Sequence, residues 1–347
     1  MGQKFRQFID NFGYTRIVII LFLFVLLVSA FALELQIKSL LSGILIRTGM
    51  NLLLTLAMVP SIQSGTGLNF GLPVGILCGV VGAVLSIAMN LTGGQAFFAA
   101  NVIGVLLAVV AGYVYGLLLN RVKNQEMLIG TYAGFSVVSG MCMFWILAPF
   151  RSPKMIWPYG GRGLRVTVSL EDTFGGILNK FLFRPYKWID IPWGLLGYVL
   201  IFCLFIWLFS RSKTGIAMQT VGSNPRFAEA AGISIDGMRI VGTILSTVLG
   251  AMGILVYAQS YGFLQLYTAP LYMAFPAVAA ILIGGATVHK ASITHVIIGT
   301  FLFQALLVVA LPVTNAVLPE GNLSEVVRII ISNGIILYAL TRIGGGD

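Results

Sequence analysis

Apolar residues run through this chain in long blocks separated by short polar punctuation. A helix that crosses the hydrocarbon core of a bilayer needs about 20 mostly apolar residues. Ten blocks approach that length: 17–35, 40–62, 68–90, 96–119, 127–149, 191–210, 239–258, 271–288, 292–312 and 325–341. The second and third are irregular, because Arg47 and the polar run SIQSGTGLN interrupt them. Lipid offers no hydrogen-bond partners to non-helical backbone. The pattern therefore predicts broken or re-entrant segments there, buried in protein. The fold class is all-α: a polytopic membrane helix bundle of about ten transmembrane helices, forming one domain over residues 1–347.

Composition removes the soluble alternative. Of 347 residues, 58% are hydrophobic and only 9% are charged, against about 25% charged in soluble domains. Such a chain has too little polar surface to face water, so membrane lipid is its main neighbour. The net charge of +10 does not point to nucleic acid, because the basic residues lie in connecting segments, where topology accounts for them. Ten spans put both termini on one side. If that side is the cytoplasm, it receives Lys4, Arg6, Arg16, Arg121, Lys123, Arg211, Lys213, Arg226, Arg239, Lys290 and Arg342. The short outer connections then hold little positive charge: Lys38 in the first, and Glu320 in the last. The exception is the outer loop 150–190, which carries seven Lys or Arg. Reversing the topology would export the larger set. That loop also holds Pro153, Trp157, Pro158, Phe181, Phe183, Tyr186 and Trp188, the aromatic character of membrane interfaces or of a docking surface. MGQKFRQF followed by apolar residues 17–29 and Ala30-Phe31-Ala32 has the form of a signal peptide. A retained first helix fits the topology better, and it makes the protein a multi-pass membrane protein.

Glycine is frequent and spaced. Gly67, Gly71, Gly75 and Gly79 recur every four residues, as do the pairs Gly112/Gly116 and Gly130/Gly134. On a helix this spacing makes a stripe that lets another backbone approach closely. Several chemistries are missing. There is no G-x-x-x-x-G-K-[ST] loop for nucleotide phosphates. His289 and His295 have no neighbouring Cys or carboxylate in a metal-binding spacing, so no metal site is expected. Cys78, Cys142 and Cys203 sit in apolar runs and read as packing residues. No catalytic set can be assembled, so the chain does not read as an enzyme. Among eleven Asp and Glu, only Glu34 and Glu325 fall within the expected spans, each at a span's end. Ion-coupled carriers usually place acids inside the membrane, so energy is expected from elsewhere. What the spans do hold is neutral polarity: Asn51, Gln63, Asn69, Asn101, Gln304 and Asn333. Each reads first as an interhelical hydrogen-bonding group. Together they suggest a polar, uncharged route for a small neutral hydroxylated solute.

One polar stretch is built differently. Residues 221–236 read VGSNPRFAEAAGISID, inside a connection spanning 211–238. Ser223 or Asn224 is a suitable N-cap, Pro225 fits the first helical position, and Ala228, Ala230 and Ala231 favour helix. Gly232 is placed to end it in a left-handed turn. The result is a helix over about 225–231, roughly 10 Å long, with Arg226 and Glu229 three apart and able to pair.

This stretch resembles the cytoplasmic coupling-helix segment of ABC importer permeases of the branched-chain amino acid, simple sugar and nucleoside family. Their G-x-N-x-x-A-A-x-x-x-G-I pattern is matched by Gly222, Asn224, Ala228, Gly232 and Ile233, while Phe227 stands in place of the first alanine. FPAVAAILIGGATV at 275–288 is similar to a run in the later half of that family, and SGTGLNFG at 64–71 to an earlier one. Asn69 stands where sugar-type members often carry Asp. These segments bring Phe70 and Phe275 into the expected translocation path beside Asn51, Gln63, Asn69, Asn101 and Gln304. The resemblance implies a second permease subunit, identical or not, two cytosolic ATPase subunits and an extracytoplasmic solute-binding protein. ATP and Mg would then sit on the ATPase, with no cofactor on this chain. The coupling residues would be Gly222, Asn224, Pro225, Arg226, Ala228, Glu229, Ala230, Ala231, Gly232 and Ile233. Cargo would be a sugar, a nucleoside or a riboflavin-like vitamin. A secondary transporter with broken helices is the alternative.

Overall fold

The computed structural model describes residues 14–150, 152–157, 163–181, 183–185 and 190–317, with separate helical positions between 326 and 341. Lys4, Arg6, Pro158, Tyr186, Trp188, Glu320 and Arg342 lie outside the described residues, as does much of the expected span 325–341. The other nine expected spans fall on helices. In chain order these are α1 (Tyr14–Ala32), α2 (Ile37–Leu56), α3 (Met58–Gln63), α4 (Leu72–Ala88), α5 (Gly93–Arg121) and α6 (Glu126–Leu147). After β1 (Thr167–Ser169), α7 (Ile177–Lys180), β2 (Phe183–Pro185) and β3 (Asp190–Pro192) come α8 (Trp193–Arg211), α9 (Lys213–Ser223), α10 (Pro225–Ala230) and α11 (Ile235–Tyr261). The described chain closes with β4 (Phe263–Gln265), α12 (Ala269–Tyr272), α13 (Ala274–Ile283) and α14 (Ile293–Val317). Among the described residues six helices are long and apolar enough to cross a membrane, α2 and α3 counting as one, and three shorter apolar ones accompany them.

The second span is broken as its sequence predicts. Pro60 has no N–H to give to the carbonyl one turn earlier, and α2 passes into α3 at Ala57. Residues 64–71 then leave the helix altogether, with Gly65 and Gly67 in left-handed conformations. Their backbone is held by hydroxyls. Ser61 Oγ donates to the Gly67 carbonyl at 2.8 Å, and Thr66 Oγ1 and the Thr66 N–H both donate to the Ser61 carbonyl. These groups are buried.

Around this segment the helices form a bundle whose hub is α11, packed against α5, α4, α2 and α3. The glycine stripes make that contact close. A Cβ on Gly75 or Gly79 would strike the carbonyl of Thr247 or Ala251 on α11, and one on Gly112 would lie 3.0 Å from the Ile244 Cα. The stripe is only partly helical, however. Gly67 and Gly71 precede α4, because Pro73 sets the helix start, and Gly71 is packed against the Tyr115 ring instead.

Two ends of the bundle differ. At the β end, the described parts of segment 150–190 fold over the helices. β1 pairs antiparallel with β4, Val168 opposite Leu264. Met155, Leu164, Leu170 and Phe174 are buried there, while Trp157 and Phe181 stay exposed. Buried Gln259 pins the loop, accepting from the Leu178 N–H at 3.1 Å. At the other end, the α10 end, lie residues 122–125, α9 and α10, and the turn 284–292. Asn120 Nδ2 donates to the Asp236 carbonyl, and Lys123 pairs with Asp236 at 3.1 Å.

The α4–α11 contact sets a stability test. Gly75→Leu forces two backbones apart and is expected to cost more than about 3 kcal/mol, read as a large drop in melting temperature of the purified protein. Gly140→Leu, where a Cβ meets nothing within 4 Å, is the control that stays near wild type.

Candidate functional site

The polar face of α2 builds a cavity. Gly43, Arg47 and Asn51 follow one another at helical spacing of four, so they share one side. With Tyr257, Tyr261, Tyr272 and Gln304 they line a cavity of about 590 Å³ whose mouth reaches Gln265 and Ala269 at the β end. Tyr257 and Tyr261 stack with centroids 5.6 Å apart. Toward the α10 end the space narrows between Leu54, Thr55, Pro276 and Ala277 until it no longer admits a water. The cavity therefore does not continue as water-wide space toward the α10 end.

Below that floor, α2 continues through α3 to Gln63, where the polar connection 211–238 docks. Ser212 Oγ caps α9, accepting from the Gly215 N–H at 3.2 Å. The connection is thus two helices rather than a basic loop ahead of one. The internal Gly215 and the mixed polarity of KTGIAMQTVGS masked α9 in the sequence. Asn224 is the cap of α10, its Oδ1 accepting from the Phe227 N–H at 3.1 Å. Pro225 opens the helix and Ala230 ends it. The Gly232 N–H then reaches the Glu229 carbonyl at 3.0 Å, and the Ile233 N–H reaches that of Ala228 at 2.9 Å. Gly232 has φ +75°, the left-handed turn expected of it. Arg226, Phe227 and Glu229 are exposed, and Arg226 and Glu229 make no ion pair with each other. Gly222 explains its place in the motif. A Cβ there would collide with the Gln63 carbonyl and lie 3.1 Å from the Gly65 nitrogen. Only glycine lets α9 sit this close to the broken span.

A family model described as "Branched-chain amino acid transport system / permease component" matches residues 40–337. The chain belongs to this permease family. Among its relatives are two proteins named "Autoinducer 2 import system permease protein LsrC", from Yersinia pestis (strain Pestoides F) and Yersinia pseudotuberculosis serotype O:1b (strain IP 31758). Each is 27% identical over 184 residues, covering 51% of this chain and 50% of the relative. The chain thus spans about half the length of the curated relatives it matches.

The remaining path candidates lie elsewhere in this permease. Among the path candidates only Asn51 and Gln304 line the cavity. Gln63 is a bracket at the α10 end, donating to the Ala291 carbonyl at 3.1 Å and accepting from Ser210 Oγ at 3.3 Å. Asn69 donates to Ser246 Oγ at 2.8 Å and accepts from the Tyr115 hydroxyl at 3.2 Å, tying three segments together. Asn101 donates to the Phe97 carbonyl and accepts from Tyr198. Phe70 and Phe275 pack on each other at 6.0 Å. Arg47 and the three tyrosines line this cavity but were not among the path candidates, although the four-residue spacings 47/51 and 257/261 were visible.

Next to the docked connection, Arg239 of α11 pairs with Glu126 of α6, and both are largely buried. Removing one charge of such a pair strands the other. Glu126→Gln is expected to destabilise by about 3–5 kcal/mol. Asp236→Asn, which breaks the exposed Lys123 pair, should cost no more than about 1 kcal/mol. Thermal melting of the two purified variants checks the contrast.

Proposed function

We propose that this chain is the membrane subunit of an ATP-driven importer in a bacterial cytoplasmic membrane. In this reading the α10 end faces the cytosol and the β end faces an extracytoplasmic solute-binding protein. A second permease subunit and two cytosolic ATPase subunits complete the assembly, with ATP and Mg held by the ATPases. The cargo is a small hydroxylated solute, of the size of a sugar or nucleoside.

One observation carries the proposal. The helix capped at both ends, α10, follows a helix that Gly222 seats against Gln63 and Gly65, and the same broken span lines the cavity at its other end. A push on α10 reaches the cavity through α9 and the α3 end of that span, as a rigid-body displacement. Phe227, 61% exposed on α10, is the apolar knob for an ATPase cleft. None of the cavity-lining residues named above is a carboxylate, which favours an external energy source over ion coupling.

The test is association and coupling. Wild-type protein drawn from its own membranes should bring ATPase activity with it. Phe227→Asp and Glu229→Arg should lose that activity, and solute uptake with it, while keeping the wild-type melting temperature. If wild type carries no ATPase, or if both variants keep theirs, the importer reading is wrong.

A further inference from the structure

We infer that the transported solute carries an anionic group, a carboxylate or a phosphate, and that Arg47 in the α2 wall of the cavity binds it. This deepens the importer reading and rests on it. It also changes the expectation of an uncharged cargo.

The first ground is the place of the charge. Arg47 lies ten residues into α2, about 15 Å along the helix, roughly halfway through a hydrocarbon core of about 30 Å. An arginine at that depth is costly on a lipid face and persists where it faces a partner or a water-filled cavity. The ion pairs among the described residues are Lys38–Asp190, Lys123–Asp236 and Arg239–Glu126, so Arg47 has no carboxylate partner among them. Its side chain is exposed into the cavity.

The second ground is independent of Arg47. Gln304 is only 5% exposed, yet it lines both the cavity and its floor. Its amide makes no hydrogen bond with another described residue, whereas Gln63, Asn69 and Asn101 all do. An amide this deep has been kept unpaired and pointed at empty space, where a ligand can satisfy it.

The third ground is the balance of donors and acceptors. The guanidinium offers five N–H donors and accepts nothing. The hydroxyls of Tyr257, Tyr261 and Tyr272 are not engaged with other described residues and add three more donors beside it. Carboxylate and phosphate oxygens match this set, and the planar guanidinium fork suits either in two-point geometry. The stacked pair Tyr257 and Tyr261 gives the rest of the solute a flat apolar surface. A neutral sugar would leave Arg47 desolvated and unpaired once the cavity closes, a penalty that selects against it.

The experiment measures binding to the purified full-length chain in detergent by thermal shift, with chemically matched pairs as probes. D-ribose is compared with D-ribonate and with D-ribose 5-phosphate, and L-valinamide with L-valine; short-chain phosphatidylglycerol is run separately. The anionic member of at least one pair is expected to stabilise wild type more than its partner does. Arg47→Lys should keep part of that shift, and Arg47→Gln should weaken binding about ten- to a hundredfold. The melting temperature and gel-filtration profile of unliganded Arg47→Gln show whether it is folded. If it is not, the loss of the anion's advantage in wild type at high salt stands in for it. The inference fails if neutral members bind as well as charged ones, if folded Arg47→Gln binds like wild type, or if no pair moves the melting temperature. A shift with phosphatidylglycerol alone also overturns it, by making Arg47 a lipid contact. The importer reading is judged separately, by the ATPase that accompanies the protein.

Discussion

Backbone that leaves the helix inside a membrane must find all its hydrogen bonds within the protein, because lipid supplies none. In this chain the demand falls on residues 57–71, where Pro60, Gly65 and Gly67 end the second span before α4 begins. The answer is local and polar: Ser61, Ser64 and Thr66 return the segment's own backbone bonds. The segment must also be enclosed. Contacts of α2 and α3 with α11, α13, α14 and α9 put the broken span near the centre of the bundle. Much else follows from that position. One end of the span faces the cavity, and at the other α9 sits against the irregular backbone.

Enclosure has a second requirement. In lipid, apolar side chains gain little by leaving one greasy environment for another, so helices associate through close packing and hydrogen bonds. The hub helix α11 shows both devices. Its Thr247 and Ala251 carbonyls meet glycines of α4, and its Ile240 and Ile244 backbone meets glycines of α5. Ser246 receives the Asn69 amide at 2.8 Å in the same layer. By contrast, α5, α6 and α8 carry many exposed apolar residues such as Leu106, Val110, Leu147 and Ile201, which suit lipid or a neighbouring membrane subunit.

Element identity was readable from the sequence because membrane spans are written in bulk: twenty apolar residues leave few alternatives. The cap residues of α10 were readable for a different reason, since Asn224, Pro225 and Gly232 each do one local thing. What stayed hidden was which way a polar side chain points. Asn69 and Asn51 look alike in sequence, yet Asn69 is locked to Ser246 and Tyr115, while Asn51 lines open space. That difference depends on partners 46 and 177 residues away, which no local pattern encodes. Helix α9 was hidden because the contact that rewards it, Gly222 on Gln63, is equally remote.

The two arginines inside the bundle show how context decides what a charge does. Arg239 is 6% exposed and is met by Glu126, so its cost is offset within the fold and its work is to hold α6 to α11. Arg47 is exposed into the cavity from a helix whose next residues, Thr48, Gly49 and Met50, are buried, and no described carboxylate pairs with it. If Arg47 were only a structural residue, a buried acid or a snorkelling path to the interface would be the economical solution. No described acid pairs with it, and the side chain opens into a cavity that also holds Gln304, which has no hydrogen bond to another described residue. Unsatisfied groups on the α2 and α14 walls of one cavity are explained together by a ligand that bridges them. They have no joint explanation from packing. A ligand bridging those walls would also draw α14 toward α2, at the end of the span opposite to where α9 sits, so solute binding and a push on α10 would act on one and the same helix.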